Sequence, residues 1–366
     1  MTRRKIVSTA RKLFWNFSMA DKKPVFSGFS PSNSTRRVTP LRQFLRRRKL
    51  DGCLLASSSN ISWLVGLPHT EGLLLVTEKE VTLFVNPLQQ QATLRTQCLS
   101  AEVLASEKEF RQRVNACGRL GFLSEEISVA RWQRWQKQFT CQLLPCPDFV
   151  LALRAVKDSS ELKYLQAAKK IAREIMEETI SRYLKPGVTE AELAARIRWL
   201  ASCYGGAEVS FPPIVASGPN SAYPHHRPGN RKIQPGDAVI IDSGVECQGY
   251  HSDLTETVLL EPARHELKEI YSLVRQVQRA CLKALRPGQR AADIHRLAVS
   301  LFKKRGMEKY FVHGLGHGVG LDVHEKPVLN GQSQDILRKG MVVTVEPGLY
   351  LPGTGGVRLE EMVFVE

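Results

Sequence analysis

The sequence predicts two domains in series: a mixed α/β domain, then a larger domain made of two helix-then-strand halves. Three observations carry this reading. Short apolar runs alternate with helical stretches up to about residue 150. A capping signal at Asp158 then opens a long amphipathic helix. Beyond it, a Pro-Gly-helix pattern recurs at an offset of 101 residues.

Residues 1–35 precede the first domain and are basic and aperiodic. Arg11 and Lys12 interrupt any apolar core of a secretory signal. An organelle transit peptide, a disordered tail, and an over-extended start with Met19 as initiator all fit this composition; we favour the last two, and with them a cytoplasmic protein. Thr39-Pro40 then reads as a helix start, an N-cap followed by proline at the first helical position. The helix PLRQFLRRRKL sets Leu41, Phe44 and Leu45 on one face. GCLLA, GLLLV and VTLFV follow as strands, the last two joined through TEKE as a hairpin. Residues 36–155 form this first domain.

The second domain spans 156–366. Asp158 and Glu161 make a capping-box start for its first helix. YLKPGVTEAELAARIRWLA (183–201) aligns with ALRPGQRAADIHRLAVS (284–300), and Thr189 with Glu192 supplies another capping box. Nearly the same distance separates VIIDSG from VTVEPG. Each half therefore offers a helix, a strand and a carboxylate at the strand end. Two such halves packed face to face would bring Asp242 and Glu346 together.

Bulk composition narrows the function. The chain of 366 residues carries a net charge of +16, but residues 1–50 hold fourteen of the 52 Lys and Arg and one of the 36 Asp and Glu. The body is thus nearly neutral, which argues against a nucleic-acid surface. No apolar run reaches the length of a membrane span. Eight cysteines are scattered without a C-x-x-C, as expected of reduced thiols.

The acids pose the chemical question. The apolar run Ala238–Ile241 meets Asp242, a second run begins at Asp253, a third meets Glu346, and Glu360 sits in a fourth strand-like segment, GGVRLEEMVFVE. Burying an unpaired carboxylate costs several kcal/mol or more. Either these acids are solvated turn residues or something positive meets them. Strand alternation puts Asp253 with Thr255, Thr344 with Glu346, and Arg358 with Glu360 and Met362 on common faces. FVHGLGHGVGLDVHE adds His313, His317 and His324 within twelve residues of a Gly-rich, non-helical stretch. Four carboxylates total −4, which two divalent cations would match. Oxygen-rich ligation with one imidazole suits Mn²⁺, Co²⁺, Fe²⁺ or Zn²⁺. There is no G-x-S-x-G, P-loop or H-E-x-x-H; HELKE at His265 is a near miss of the last.

With these residues in view, the sequence resembles the metal-dependent pita-bread (M24) peptidases, and within them the Xaa-Pro group of aminopeptidase P and prolidase. The resemblance rests on SGPNSAYPHHRP, GDAVIIDSGVECQGYHSDLTET, HGLGHGVGLDVHE, VTVEPGLY and GGVRLEE, in the family's order over residues 155–366. DGCLLASSSNISWLVGL and LRAVKDSSEL resemble the creatinase-type N-terminal domain. The fold implied is an α/β creatinase-type domain followed by an α+β pita-bread domain with a curved antiparallel sheet and an internal pseudo-two-fold repeat.

Carried over position by position, the resemblance makes Asp242, Asp253, His317, Glu346 and Glu360 ligands of two divalent ions, Mn²⁺ foremost. It assigns His225 and His324 to substrate and transition-state contacts; spacing alone does not choose His225 over His226. Glu346 would shuttle the proton, and Arg358, His313 and Thr255 would support the ligands or the substrate. The implied reaction is hydrolysis of Xaa-Pro bonds in proline-containing peptides by a metal-bridging hydroxide, in a homodimer or homotetramer. Two alternatives share the fold: a creatinase-like C–N hydrolase and a non-catalytic binding module. Neither typically keeps the five ligands. Methionine aminopeptidases share them but are not expected to carry the N-terminal domain.

Overall fold

The computed structural model describes residues 34–94, 101–147, 149–204 and 208–366. The basic leader up to Asn33, with Met19, and Cys98 lie outside the described residues.

The first domain is a mixed sheet flanked by helices. Its elements are α1 (Ser34–Arg48), β1 (Gly52–Leu55), α2 (Ser58–Val65), β2 (Leu73–Thr77), β3 (Val81–Phe84), α3 (Pro87–Leu94), β4 (Glu102–Leu104), α4 (Glu107–Asn115), β5 (Arg119–Leu123), α5 (Val129–Gln138), β6 (Gln142–Cys146) and α6 (Val150–Arg154). The strand order is β4-β3-β2-β1-β5-β6. β2 and β3 form the antiparallel hairpin that TEKE announced, and β1 runs parallel to β5. All four residues of β1 are buried, as befits a central strand covered on both faces.

One expectation fails here. α1 begins at Ser34, so Pro40 lies inside the helix rather than at its first position. Proline normally breaks a helix interior by removing a donor and crowding the preceding turn. Tertiary contacts hold that turn instead. Val38 and Leu41 are buried, and Arg37 donates to the Trp63 carbonyl and to Asp158 Oδ2 (2.6 Å).

The second domain opens with α7 (Ser159–Glu178), whose Asp158–Glu161 capping box forms as expected. A π-helical turn, Thr179–Tyr183, leads to α8 (Glu190–Cys203), capped by Thr189 and Glu192. Then come β7 (Glu208–Val209), β8 (Ile214–Ser217), β9 (Ala238–Ser243), β10 (Val245–Cys247), β11 (Tyr250–His251), β12 (Leu254–Leu259), α9 (His265–Ala284) and α10 (Ala291–Lys303). The chain closes with β13 (Gly316–Gly318), β14 (Glu325–Leu329), β15 (Val342–Val345), β16 (Gly348–Leu351), β17 (Gly355–Arg358) and β18 (Glu361–Phe364). The two sheets that matter for the site, β12-β9-β8 and β14-β13-β15-β18, are antiparallel throughout.

The internal repeat is visible in hydrogen bonds. Gly187 N–H donates to the Ile233 carbonyl and Ile233 N–H to that of Val188, both at 2.8 Å; Gly288 with Leu337 and Leu337 with Gln289 repeat the pattern at 2.8 Å. Gly187 and Gly288 both need a left-handed φ, 94° and 88°, that only glycine adopts freely. Each Pro-Gly turn thus pairs with the segment entering β9 or β15. One apolar cluster joins the first domain to α7, α8 and β9; another gathers α9, α10, β15 and β17. Among the described residues, no helix is long and apolar enough to cross a membrane, and the seven described cysteines are free.

Candidate metal centre

Asp242 lies one residue before the end of β9, opposite Thr255 in β12, and Asp253 immediately precedes β12. Glu346 follows β15 directly. Glu360 departs from expectation: Leu359 and Glu360 form a break between β17 and β18 rather than the interior of one strand. The chain changes partner there, since β17 pairs with β16 and β18 with β15. Glu360 stays anchored by its N–H, which donates to the Thr255 carbonyl at 2.9 Å. Arg358 and Glu360 still face the same cavity.

His317 is the middle residue of β13. Its alternating glycines have a packing reason, because a Cβ at Gly316 would overlap the Thr344 carbonyl and one at Gly318 that of Lys326. The ring is oriented by Nδ1–H donating to the Gly318 carbonyl (3.1 Å), which leaves Nε2 as a lone-pair donor to a cation. That atom is 3.5 Å from Glu346 Oε1 and 3.6 Å from Asp253 Oδ2.

These residues converge. Ligating atoms of Asp242, Asp253 and Glu360 lie within 4.8 Å of one another, as do those of His317, Glu346 and Glu360, and those of Asp253, His317 and His324. Asp242, Asp253 and Glu360 are 8%, 5% and 5% exposed, so water cannot neutralise them freely. Asp242 Oδ1 and Glu360 Oε1 accept no hydrogen bond from any described residue. Orphaned buried carboxylate oxygens are costly unless a cation binds them. In the ion-free protein the electrostatics respond by proton uptake. Burial, then Glu360, Asp242 and Glu346, push the Asp253 carboxyl well above its ordinary range. Burial with the charges of Glu346 and Asp242 does the same at Glu360. Burial outweighs neighbouring Arg358 and, with Asp242, lifts Glu346 to about 7. The donor set therefore fits hard or borderline divalent ions.

Arg358 is the cation that the protein itself supplies. Its Nη2 donates to Asp242 Oδ2 (2.6 Å), Nε to Thr255 Oγ1 (3.2 Å), and Nη1 to Tyr350 Oη (2.9 Å) and the Pro224 carbonyl (3.2 Å). Thr255 Oγ1 donates to Glu360 Oε2 (2.7 Å). Tyr350 passes the chain on by donating to His313 Nε2 (2.9 Å), whose Nδ1–H donates to the Gly314 carbonyl (2.7 Å). Burial lowers His313 to about 4, consistent with that neutral tautomer.

His225, His313 and His324 join the carboxylates and His317 in lining one cavity of about 680 Å³, with Phe211, Ile214, Pro224, Val323 and Val328 as apolar wall. The His324 and His317 ring centroids are 4.3 Å apart. The neighbouring His226 turns away, its Nε2 bonded to Glu190 Oε2 at 2.8 Å. Every predicted site residue is thus in or against this cavity.

Four contributors escape the sequence reading. Tyr350 stands in the quoted VTVEPGLY, four residues past Glu346, and its strand position was the available signal. Glu190 lies between Thr189 and Glu192, the two residues of the capping box, and carries no local signal of its own. Arg154 and Lys157 clamp Glu325, the neighbour of His324, from the junction of the two domains; nothing local announces a partner about 170 residues away.

The chain is similar to known proteins over most of its length. Residues 163–366 match the metallopeptidase family M24 model, and residues 37–156 match the creatinase/prolidase N-terminal domain. A Xaa-Pro dipeptidase of Pyrococcus horikoshii is 30% identical over 338 residues, 90% of this chain and 94% of that protein. The structure of a Xaa-Pro dipeptidase from Bacillus anthracis superposes with a TM-score of 0.87 at 30% identity, covering 91% of this chain and 95% of that one. An X-Pro aminopeptidase structure from Thermotoga maritima gives 0.81 at 27% identity over 90% and 95%. The cage of acids around His317, the repeat that builds it and these matches lead to one conclusion: the chain belongs to metallopeptidase family M24, with a creatinase/prolidase-type domain ahead of its catalytic domain.

Proposed function

We propose that the chain hydrolyses the peptide bond preceding proline, using two divalent cations, Mn²⁺ foremost, held by Asp242, Asp253, His317, Glu346 and Glu360. The carrying observation is the pair of orphaned, buried oxygens on Asp242 and Glu360 beside His317. The relatives named as Xaa-Pro dipeptidases and X-Pro aminopeptidase support the substrate class. When bound, such ions supply a nucleophilic water at neutral pH and Lewis-acid polarisation of the scissile carbonyl.

The chain's own residues do the rest. The Glu346 carboxylate takes a proton from the attacking water and returns it to the departing proline nitrogen. His225 and His324, both on the cavity wall, donate to the carbonyl oxygen as negative charge develops there. Arg358 fixes Asp242 in place. The wall of Phe211, Ile214, Pro224, Val323 and Val328 takes the pyrrolidine ring. Proline's imide has no N–H, so such a wall can select it where a site relying on that N–H would not. A homodimeric or homotetrameric assembly belongs to the same proposal, and light scattering of the purified protein checks it.

The test is a panel of Xaa-Pro dipeptides and Xaa-Pro-Yaa tripeptides, with added Mn²⁺ and with chelator. Metal-dependent cleavage at the Xaa-Pro bond, lost in Asp253→Ala, is expected. Cleavage that survives chelation or the substitution, or a protein inert on the whole panel, overturns the proposal.

A further inference from the structure

His225 reaches the cavity from a loop, residues 218–232, whose only regular piece is the 3₁₀ turn Gly218–Ala222. Such a loop has no ladder of its own with which to aim a histidine. The carboxylate of Glu190 supplies the missing constraint from behind. Its Oε1 accepts from Ser217 N (2.8 Å), Ser217 Oγ (2.7 Å) and Asn220 Nδ2 (3.0 Å). Its Oε2 accepts from His226 Nε2 (2.8 Å) and Gly229 N (3.2 Å). The donors flank His225 on both sides in the chain.

We infer that Glu190 and His226 are a positioning pair for His225. Neither of them lines the cavity, so neither touches substrate. His226 N–H donates to the Tyr223 carbonyl (3.1 Å), closing a turn around Pro224 and His225. With its ring committed to Glu190, His226 leaves its neighbour to face the cavity. Arg358 holds the same turn from the front through the Pro224 carbonyl. The loop is therefore clamped between a buried carboxylate and the guanidinium that also binds Asp242.

Glu190 is built to stay charged in this role. It is fully buried, and among the described residues its only ion-pair partner is His226. Burial opposes the charge, but the donors from Ser217, His226 and Asn220 hold its carboxyl below the ordinary range. It is also the first residue of α8, where the helix N-terminus favours a negative group. A carboxylate needed only to cap a helix would not require five donors, two from Ser217 at the end of β8 and three from the loop that carries His225.

The inference rests on the reading of His225 as a contact to the reacting carbonyl, and its test separates the two. His226→Phe keeps a ring and removes the donor; Glu190→Gln keeps the shape and removes the charge. Each is assayed on Gly-Pro as the Mn²⁺-loaded protein, in the wild-type and in the His225→Ala background, with bound metal and melting temperature measured alongside. A fall in kcat of about 10- to 100-fold with KM and bound metal unchanged is expected. In the His225→Ala background the same substitutions should change kcat by less than about 2-fold. Equal falls in both backgrounds, or an unchanged kcat, overturn the inference. A crystal structure of metal-free His226→Phe reads the same point without activity: a His225 ring displaced from the cavity supports the pair, and a ring left in place overturns it even if no Xaa-Pro peptide is cleaved.

Discussion

Asp242 and Arg358 share a hydrogen bond of 2.6 Å, yet the other oxygen of Asp242 has no hydrogen-bond partner among the described residues. One guanidinium thus answers one edge of a carboxylate cluster and leaves the other edge open. Arg358→Met should therefore destabilise the chelator-treated protein by about 3–5 kcal/mol, the cost of breaking a buried pair. Added Mn²⁺ should recover part of the loss, because it supplies positive charge to the same carboxylates. Denaturant unfolding with and without metal checks this, and a loss below about 1 kcal/mol in chelator would contradict it.

The ion-free cluster should also make stability fall as pH rises. Asp253, Glu346 and Glu360 all bind protons more tightly folded than unfolded, Glu346 up to about 7. The Glu346 contribution is complete below the unfolded value, about 4.3 for a glutamate, and is lost as pH climbs through about 7; those of Asp253 and Glu360 are lost in the same direction, as pH rises. Melting temperature in chelator should drop between pH 5 and pH 8. Saturating Mn²⁺ should flatten that drop, and metal binding should release protons. Calorimetry across that range, in two buffers of different ionisation enthalpy, reads both effects.

Much of this centre is legible in the sequence because its determinants are local. Asp158 with Glu161, and Thr189 with Glu192, cap helices within one turn. The Pro-Gly turns at Gly187 and Gly288 announce the repeat, and with it the meeting of Asp242 and Glu346. What escaped depends on distant packing. Pro40 is tolerated because Arg37 and Val38 are held by residues far along the chain. The break at Glu360 arises because β17 and β18 belong to different sheets. Glu190 looks like a helix-start residue until the loop bearing His225 folds over it.

The seam between the domains offers a further expectation. Glu325 accepts from Arg154 and Lys157, and all three are almost fully buried. Arg154 reaches on to Asn60 and Asp322, tying α2 and α6 to the His324 loop. Glu325→Ala would leave two buried cations short of their shared anion. A loss of about 3–5 kcal/mol is expected in denaturant unfolding. A loss below about 1 kcal/mol, the scale of an exposed pair, would show that the cluster is not buried in solution.

The cage itself is tested most directly by counting metal on the purified protein. Elemental analysis after Mn²⁺ loading and gel filtration should find two divalent ions per chain in the wild type and fewer in Asp253→Ala and Glu360→Ala, with melting temperatures confirming that both variants fold. Equal metal in all three proteins, or none in the wild type, would mean that Asp242, Asp253, His317, Glu346 and Glu360 do not enclose a pair of cations.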